Sequence, residues 1–534
     1  MISNAFLAFY RSLSRHRLFA ALNVLGLAFG IAVFMVLTLV VKYEYSYDRW
    51  LPHADQVYRV DSIFMLPGSP PSEVAAVTFV AFDLLRTDFP QIRAGTRVLP
   101  RAAPVSVGDT VDSENVAWVD PEFFDVLALP LVEGDSKASL APANVAITET
   151  IARKYFATTH ALGRTLQIAR NGVKSPYTVS AILRDLPQAT TLKFGIITAL
   201  TQAVKQENRS FQRWGSDSGY TFLRFDNARD AASVSAHLRD FIARRAAGSG
   251  EGQGGVHPED NLALSLVALP EAHFHDIDVQ ADIPGADRRI ILSLGAIGLL
   301  ALGMAAINYI NLATARADLR AREVALRKVM GSTRTLLIVQ FLAEATALVA
   351  LAALIGLAIT ELAVPLANAL GGWAVTIDYV QVVPLLLVII LALGLGAGFY
   401  PAVLLAAYRP AQVLAAARLP AGGKMGGRLR QILVLVQFTA AIAFAISTLV
   451  IDRQADFLRN ADRGFDRQGL IIVKSFRASN LKTKQLAILD TLRAVPGVVS
   501  AALSDREPNS NSNSDTDVTV PGRNGPNPVM SVEN

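Results

Sequence analysis

Apolar residues along the chain gather into five blocks, 18–41, 290–313, 336–360, 382–405 and 432–451, whereas 43–287 and 452–534 mix polar and apolar positions as soluble sequence does. A bilayer core of about 30 Å needs roughly 20 apolar helical residues, because backbone groups left unpaired in hydrocarbon are costly. All five blocks meet that length and predict membrane spans. The first, Leu18 to Val41, follows a short basic start with Arg11, Arg15 and Arg17 and is too long for a signal-peptide core. No small-residue cleavage site follows it, only Lys42-Tyr43-Glu44-Tyr45, so it reads as a retained helix.

Loop charges then set the topology, since cytoplasmic loops carry the excess of Lys and Arg. The loop 314–335 holds Arg316, Arg320, Arg322, Arg327, Lys328 and Arg334 against Asp318 and Glu323. The linker 406–431 holds Arg409, Arg418, Lys424, Arg428 and Arg430 and no acid, while Glu361 to Val380 has neither Lys nor Arg. Residues 1–17 are therefore expected in the cytoplasm, with 43–287, the loop 361–381 and 452–534 outside.

Region 43–287 combines β-type runs, Val145 to Thr148 and Tyr177 to Leu183, with helical stretches, Ser72 to Phe89 and Ala231 to Arg245. It predicts an α+β module, with Ala247 to Pro258 as a glycine-rich loop. A helical run ending Leu85-Arg86-Thr87-Asp88-Phe89-Pro90 matches one ending Leu492-Arg493-Ala494-Val495-Pro496 at the same place in the topology. The expected fold is thus a multi-pass α-helical membrane protein with an extracytoplasmic α+β domain inserted after the first span. A second such unit is expected to start at the C-terminus, with 452–534 as its truncated beginning.

Composition agrees: 52% of the 534 residues are hydrophobic and only 18% charged, with a mean hydropathy of +0.35, outside the range of ordinary soluble proteins. The net charge of +5 sits beside the apolar blocks, where topology places it, so no nucleic-acid partner is expected. The absence of cysteine excludes disulfides and thiolate metal sites and leaves the redox compartment open. A phosphate-binding loop needs Gly-x-x-x-x-Gly-Lys followed by Ser or Thr, and the nearest candidate, Gly423-Lys424, has Arg418 and Met425 at the other key places.

From Arg316 to Met330 an amphipathic helix is predicted, with Leu319, Leu326, Val329 and Met330 along one stripe and the pairs Asp318–Arg322 and Glu323–Arg327 on the polar side. From the residues alone it is either a partner-binding helix or an interfacial one that anchors topology. Glu344 lies eight residues into the third block, about 12 Å along the helix from Leu336. It is either a functional group in the membrane or a carboxylate paired with a neighbouring helix. Asn308 and Asn311 predict hydrogen bonds between helices, and Gly26-x-x-x-Gly30 and Gly394-x-x-x-Gly398 predict close helix packing. Glu271, His273, His275, Asp276 and Asp278 form a metal-like cluster, but nothing supplies a second shell and no metal site is expected.

The stretches Ala306-Ile307-Asn308-Tyr309-Ile310-Asn311-Leu312, Arg322 to Ser332 and Gln340-Phe341-Leu342-Ala343-Glu344 resemble the core signature of FtsX-like permeases. Gly398-Phe399-Tyr400-Pro401-Ala402, followed by Arg409-Pro410, is similar to that family's ending of its fourth span. Val119 to Phe124, Ala146 to Glu149 and Lys154-Tyr155-Phe156 resemble the periplasmic core domain of MacB-type exporters, here without a fused nucleotide-binding domain.

The resemblance implies a non-catalytic permease of an ABC-type export or mechanotransmission complex in a bacterial inner membrane. It implies a separate ABC ATPase subunit, expected as a dimer, that carries the ATP and Mg while this chain binds no cofactor. It raises the coupling role of the helix in 314–335, with Leu319, Arg322, Glu323, Leu326, Arg327, Lys328, Val329, Met330 and Gly331 meeting the ATPase and Arg320 and Lys328 free to steer the encounter. The bilayer and an extracytoplasmic adaptor or substrate complete the expected partners. A membrane-anchored signalling or scaffold protein, for instance one regulating a cell-wall hydrolase, is the alternative. A secondary transporter would need ion or substrate groups at mid-membrane, where Glu344 and two asparagines are thin support.

Overall fold

The computed structural model describes residues 17–65, 71–170, 172–214, 216–246, 258–275, 285–315, 317–407, 424–461, 469–473, 484–504, 514–517 and 529–532. They divide into a membrane unit, with 289–467 and the first helix, and an outer unit built mainly from 44–288.

Five helices are long and apolar enough to cross a bilayer. Span 1 is Arg17–Glu44, span 2 Arg288–Ala315, span 3 Arg334–Gly371, span 4 Tyr379–Ala407 and span 5 Lys424–Asn460. Glycine decides how the first four pack. A Cβ on Gly30 would stand 2.4 Å from the Cβ of Ala305 and 3.3 Å from the carbonyl oxygen of Ala301, so spans 1 and 2 touch backbone to backbone. A Cβ on Gly356 would come within 2.9 Å of the carbonyl of Ala28, which brings span 3 against span 1. Gly394 and Gly398 hold span 4 against Thr346 and Ala345 of span 3, with 2.8 Å from an added Cβ to the Thr346 Cα. Both glycine motifs read in the sequence are therefore close-packing surfaces, as small-residue spacing in lipid dictates. Leu27, Ala28, Ile31, Met35, Val349 and Ala352 fill the core they enclose. In span 5, 0% of the apolar window is buried, and Ile432, Leu435, Phe438, Ile442 and Ile446 all stay exposed.

Two connections differ from expectation. Glu361–Gly371, expected in the outer loop, continues span 3 as helix, because Leu362, Ala363, Val364, Leu366 and Ala367 keep its apolar helix-forming character through Pro365. The helix stops where Gly372 takes φ +67°, and the Asn368 side chain clasps the turn by donating to the Val375 carbonyl and accepting from its N–H, at 2.9 and 3.0 Å. The part of the basic linker from Lys424 onward is likewise the first turns of span 5. Arg409 and Arg418 lie outside the described residues.

The outer unit holds an eleven-stranded mixed sheet. Its strands are β1 (Val57–Phe64), β2 (Ser72–Val74), β3 (Ala94–Val107), β4 (Thr110–Val119), β5 (Leu131–Gly134) and β6 (Asn144–Thr148). They continue with β7 (Thr165–Arg170), β8 (Val173–Leu183), β9 (Ile196–Ala199), β10 (Tyr220–Arg224) and β11 (Leu262–Ala268). The order is β11-β1-β10-β3-β4-β9-β6-β8-β5, with β2 on β1 and β7 on β3 and β8. Parallel pairing joins β4 to β9 and β6 to β8, and the rest is antiparallel. Period two explains the layering: Val145 and Ile147 of β6 enter one core, while Ala146 between them enters the core on the other face. Thr148 then caps the helix Glu149–Phe156 by accepting from the Ile151 N–H.

Ser72–Phe89 is not one helix. Ser72–Val74 adds to the edge of β1, and the helix runs only over Val80–Asp88, because edge pairing outweighs local helix preference. The stretch read as Ala231 to Arg245 starts earlier, where Asn227 accepts from the N–H groups of Arg229 and Asp230, and breaks at His237 into Ala228–Ala236 and Leu238–Arg245. Residues 247–257 of the glycine-rich loop lie outside the described residues. The runs compared as a repeat both close nine-residue helices, Val80–Asp88 and Gln485–Arg493.

With its own buried cores, a 43–287 fragment should melt cooperatively. Its acid side is readable at Asp88: hydrogen bonding from Arg245, with help from nearby Arg244, holds that carboxyl below the usual aspartate range. A depressed folded-state pKa means stability that is present above the unfolded value near 3.9 and lost as pH falls through the folded one. Arg245→Ala should therefore lower the fragment's melting temperature at neutral pH, and the difference should close once Asp88 is protonated. A melt without a cooperative transition, or a difference that persists in acid, contradicts this.

Candidate functional site

The helix between spans 2 and 3 runs over Ala317–Val329 and has two working faces. Ala321, Val324 and Ala325, at i, i+3 and i+4, are fully buried. Val324 packs with Leu337 and Phe341 of span 3 and Ala402, Leu405 and Ala406 of span 4. On the opposite side Leu326, Val329 and Met330 are 54%, 65% and 79% exposed, with Arg322 and Glu323 beside them. The side chains of Asp318 and Leu319 lie outside the described residues. Arg327 donates to Glu323 at 2.6 Å, the i,i+4 pair read in the sequence.

Two polar fastenings hold the inner face. Arg320 Nη1 donates to Glu344 Oε2 at 2.8 Å, and Gln340 Nε2 donates to the other carboxylate oxygen at 3.2 Å. Lys328 Nζ donates to the carbonyl of Ala406 at 2.7 Å, in the last turn of span 4, where a helix leaves carbonyls unpaired and carries partial negative charge. Burial, and then nearby Arg334, push the pKa of the Lys328 ammonium down. Arg320 and Lys328 are thus not free to steer a partner, because each is spent on the membrane unit. Of the two readings of Glu344, the paired carboxylate is the one found.

The helix hands over to span 3 with little slack. Gly331 adopts φ +96°, a left-handed position that glycine takes without a Cβ penalty, and Ser332 N–H returns to the Arg327 carbonyl at 3.0 Å. Thr333 then caps span 3 by accepting from the Leu336 N–H. Gly331, grouped with the coupling residues, ends this helix in a left-handed turn. Asn308 packs at Gly26, its Nδ2 3.2 Å from where a Cβ would stand. Asn311 does not form the interhelical bond expected of it: both its amide atoms are buried without a partner among the described residues.

Sequence reasoning missed the inner-face packing of Ala321, Val324 and Ala325, whose signal was a second, small-residue stripe overshadowed by the bulkier one, and it quoted Gln340 without reading it as a partner of Glu344. The metal-like cluster is engaged otherwise: Glu271 with Arg288 and Arg49, His273 with Glu44, and His275 3.8 Å from Glu73. Asp276 and Asp278 lie outside the described residues.

Removing either partner of the Arg320–Glu344 pair strands a charge that is 27% or 16% exposed. A double-mutant cycle of Arg320→Ala and Glu344→Ala, read by thermal melting in nanodiscs, should give a coupling of about 1–3 kcal/mol. Additive effects would show that the pair does not fasten the helix.

A bundle of apolar helices, an α+β domain inserted after the first of them and an amphipathic helix fixed to spans 3 and 4 define a multi-pass membrane protein with a large extracytoplasmic domain. A model of the MacB-like periplasmic core domain matches residues 20–241, and a model of the FtsX-like permease C-terminal domain matches 295–410. Over those two ranges, each less than half of its length, the chain is similar to these two domains. An uncharacterized ABC transporter permease of Bacillus subtilis strain 168, YvrN, is 22% identical over 365 residues, 65% of this chain and 83% of that protein. The extracellular domain of the ABC-type transporter YknZ from Gram-positive bacteria covers 39% of this chain and 99% of its own, at 13% identity and a TM-score of 0.27. The periplasmic region of MacB from Actinobacillus actinomycetemcomitans covers 39% and 87%, at 16% identity and a TM-score of 0.26.

Proposed function

We propose that this permease is the non-catalytic membrane subunit of an export or mechanotransmission complex, driven by ATP hydrolysis on a separate ATPase subunit that acts as a dimer and holds the ATP and Mg. The N-terminus and the helix Ala317–Val329 face the cytoplasm, and the outer α+β domain receives the motion and engages substrate or adaptor. One observation carries the reading: a helix fastened on its inner face by Arg320–Glu344 and Lys328–Ala406 leaves Leu326, Val329 and Met330 exposed together on its outer face. An apolar stripe on a helix fits a groove in a partner protein, and its rigid mounting turns a push on the stripe into displacement of spans 3 and 4.

The experiment is purification of the chain co-expressed with a stand-alone ABC ATPase from the same genome. The two are expected to co-elute from a sizing column in detergent, with ATPase turnover altered by the permease. A chain that elutes alone, and leaves turnover unchanged, favours the signalling or scaffold alternative.

A further inference from the structure

His273 is bonded at once to the chain that has just left span 1 and to the chain about to start span 2. Its ring is buried, and Nε2 lies 2.5 Å from Oε2 of Glu44, the residue that closes the helix of span 1. Its backbone carbonyl accepts from the N–H of Ala286 at 3.0 Å, two residues ahead of Arg288, where span 2 begins. An ionised carboxylate only accepts, so Nε2 is the donor in its contact with Glu44, and Nδ1 is buried with no partner among the described residues.

The surroundings repeat the same connection. The Tyr47 ring stacks on His273 at 3.5 Å between centroids and 3° between planes, and Tyr45 meets Phe274 at 4.8 Å. Glu271 accepts from Arg288 and lies 3.5 Å from Arg49. Asp48, one residue beyond Tyr47, is buried and accepts from the hydroxyls of Thr190 and Thr191, which roots this turn in the outer unit. Among the described residues, these polar contacts around His273 tie the segment after span 1 to the segment before span 2 and to the outer domain.

We propose that His273, through Glu44 and Ala286, is a positioning residue that locks the two legs of the outer domain into one rigid base. A buried, charge-assisted hydrogen bond with a stacked ring costs much to break, so the legs shift as one piece and do not slide past each other. The fastening rests on the contacts above; only its purpose, carrying displacement of the spans into the outer domain, rests on the proposed function.

Hydrogen exchange of the full-length chain in nanodiscs tests the fastening without any ATPase. His273→Ala should raise exchange about tenfold or more in 44–49 and 269–275 together, while β6 keeps its protection. His273→Gln, whose amide can still donate to Glu44, should recover part of the loss. If His273→Ala instead unfolds the outer unit, the exchanged pair Glu44→His with His273→Glu should restore protection in both segments. Exchange unchanged in 44–49, or no recovery in the exchanged pair, overturns the proposal. With the ATPase added, the unaltered chain should show an ATP-dependent change in outer-domain exchange that His273→Ala abolishes while ATPase binding persists. No such change in the unaltered chain would count against the proposed function and leave the fastening to be judged on the first result.

Discussion

Leu326→Asp should release the proposed ATPase partner, weakening its binding about thirtyfold or more, while this chain itself still folds and inserts. The side chain is 54% exposed, so the substitution removes little internal packing, and surface changes of that kind usually alter stability by no more than about 0.5 kcal/mol. A central apolar contact in a partner groove is worth about 2 kcal/mol or more, which is the stated loss of affinity. Val329→Asp should act in the same direction, being 65% exposed on the same stripe. The opposite face gives the contrast. Val324→Asp puts a charge among Leu337, Phe341 and Leu405 and should damage the membrane unit itself, lowering its melting temperature and its yield. Full ATPase binding and coupled turnover in Leu326→Asp and Val329→Asp at normal expression would refute the coupling assignment, and would fit a stripe that merely lies among lipid headgroups.

Gly30→Val should cost the membrane unit about 1–3 kcal/mol and sharply reduce accumulated protein. Even a single methyl would stand 2.4 Å from the Ala305 Cβ, and the nearby Ala301 carbonyl belongs to helix backbone that cannot rotate away. Gly394→Val meets the Cα of Thr346 at 2.8 Å and should behave alike. Membrane glycines that face open space supply the control: Gly303→Val in span 2, the helix that Gly30 packs against, and Gly396→Val in span 4 have nothing within 4 Å of the added Cβ. They should melt like the unaltered chain. Equal losses at all four positions would mean that glycine flexibility, and not close approach, is what the spans require.

These two expectations show what could be read from residues and what could not. Membrane spans declare themselves by length and apolarity, and the small-residue spacings at Gly26, Gly30, Gly394 and Gly398 already pointed to close packing, because lipid leaves few other uses for them. The β-type run Val145 to Thr148 likewise carried its strand. Span ends were harder: Glu361–Gly371 has no abrupt change of character, and the stop is made by Gly372 with the Asn368 clasp, a tertiary detail. Ser72–Val74 became a strand because β1 offered an edge, which no local preference encodes.

At the site, the exposed stripe was legible from spacing, but the partners of Arg320, Lys328 and His273 were not. Each bonds a residue far along the chain: Arg320 reaches Glu344, Lys328 reaches Ala406 and His273 reaches Glu44. A charge in a basic loop looks free until the fold supplies its acceptor. That is why the sequence suggested steering charges where the structure has anchors.

The most direct measurement is site-specific photo-crosslinking along this helix in the assembled complex, with a photoreactive residue placed in turn at 321, 324, 326, 329 and 330. The account predicts ATPase adducts from 326, 329 and 330 and none from 321 and 324, which face spans 3 and 4. Lipid adducts alone from 326, 329 and 330, with the ATPase bound, would contradict it.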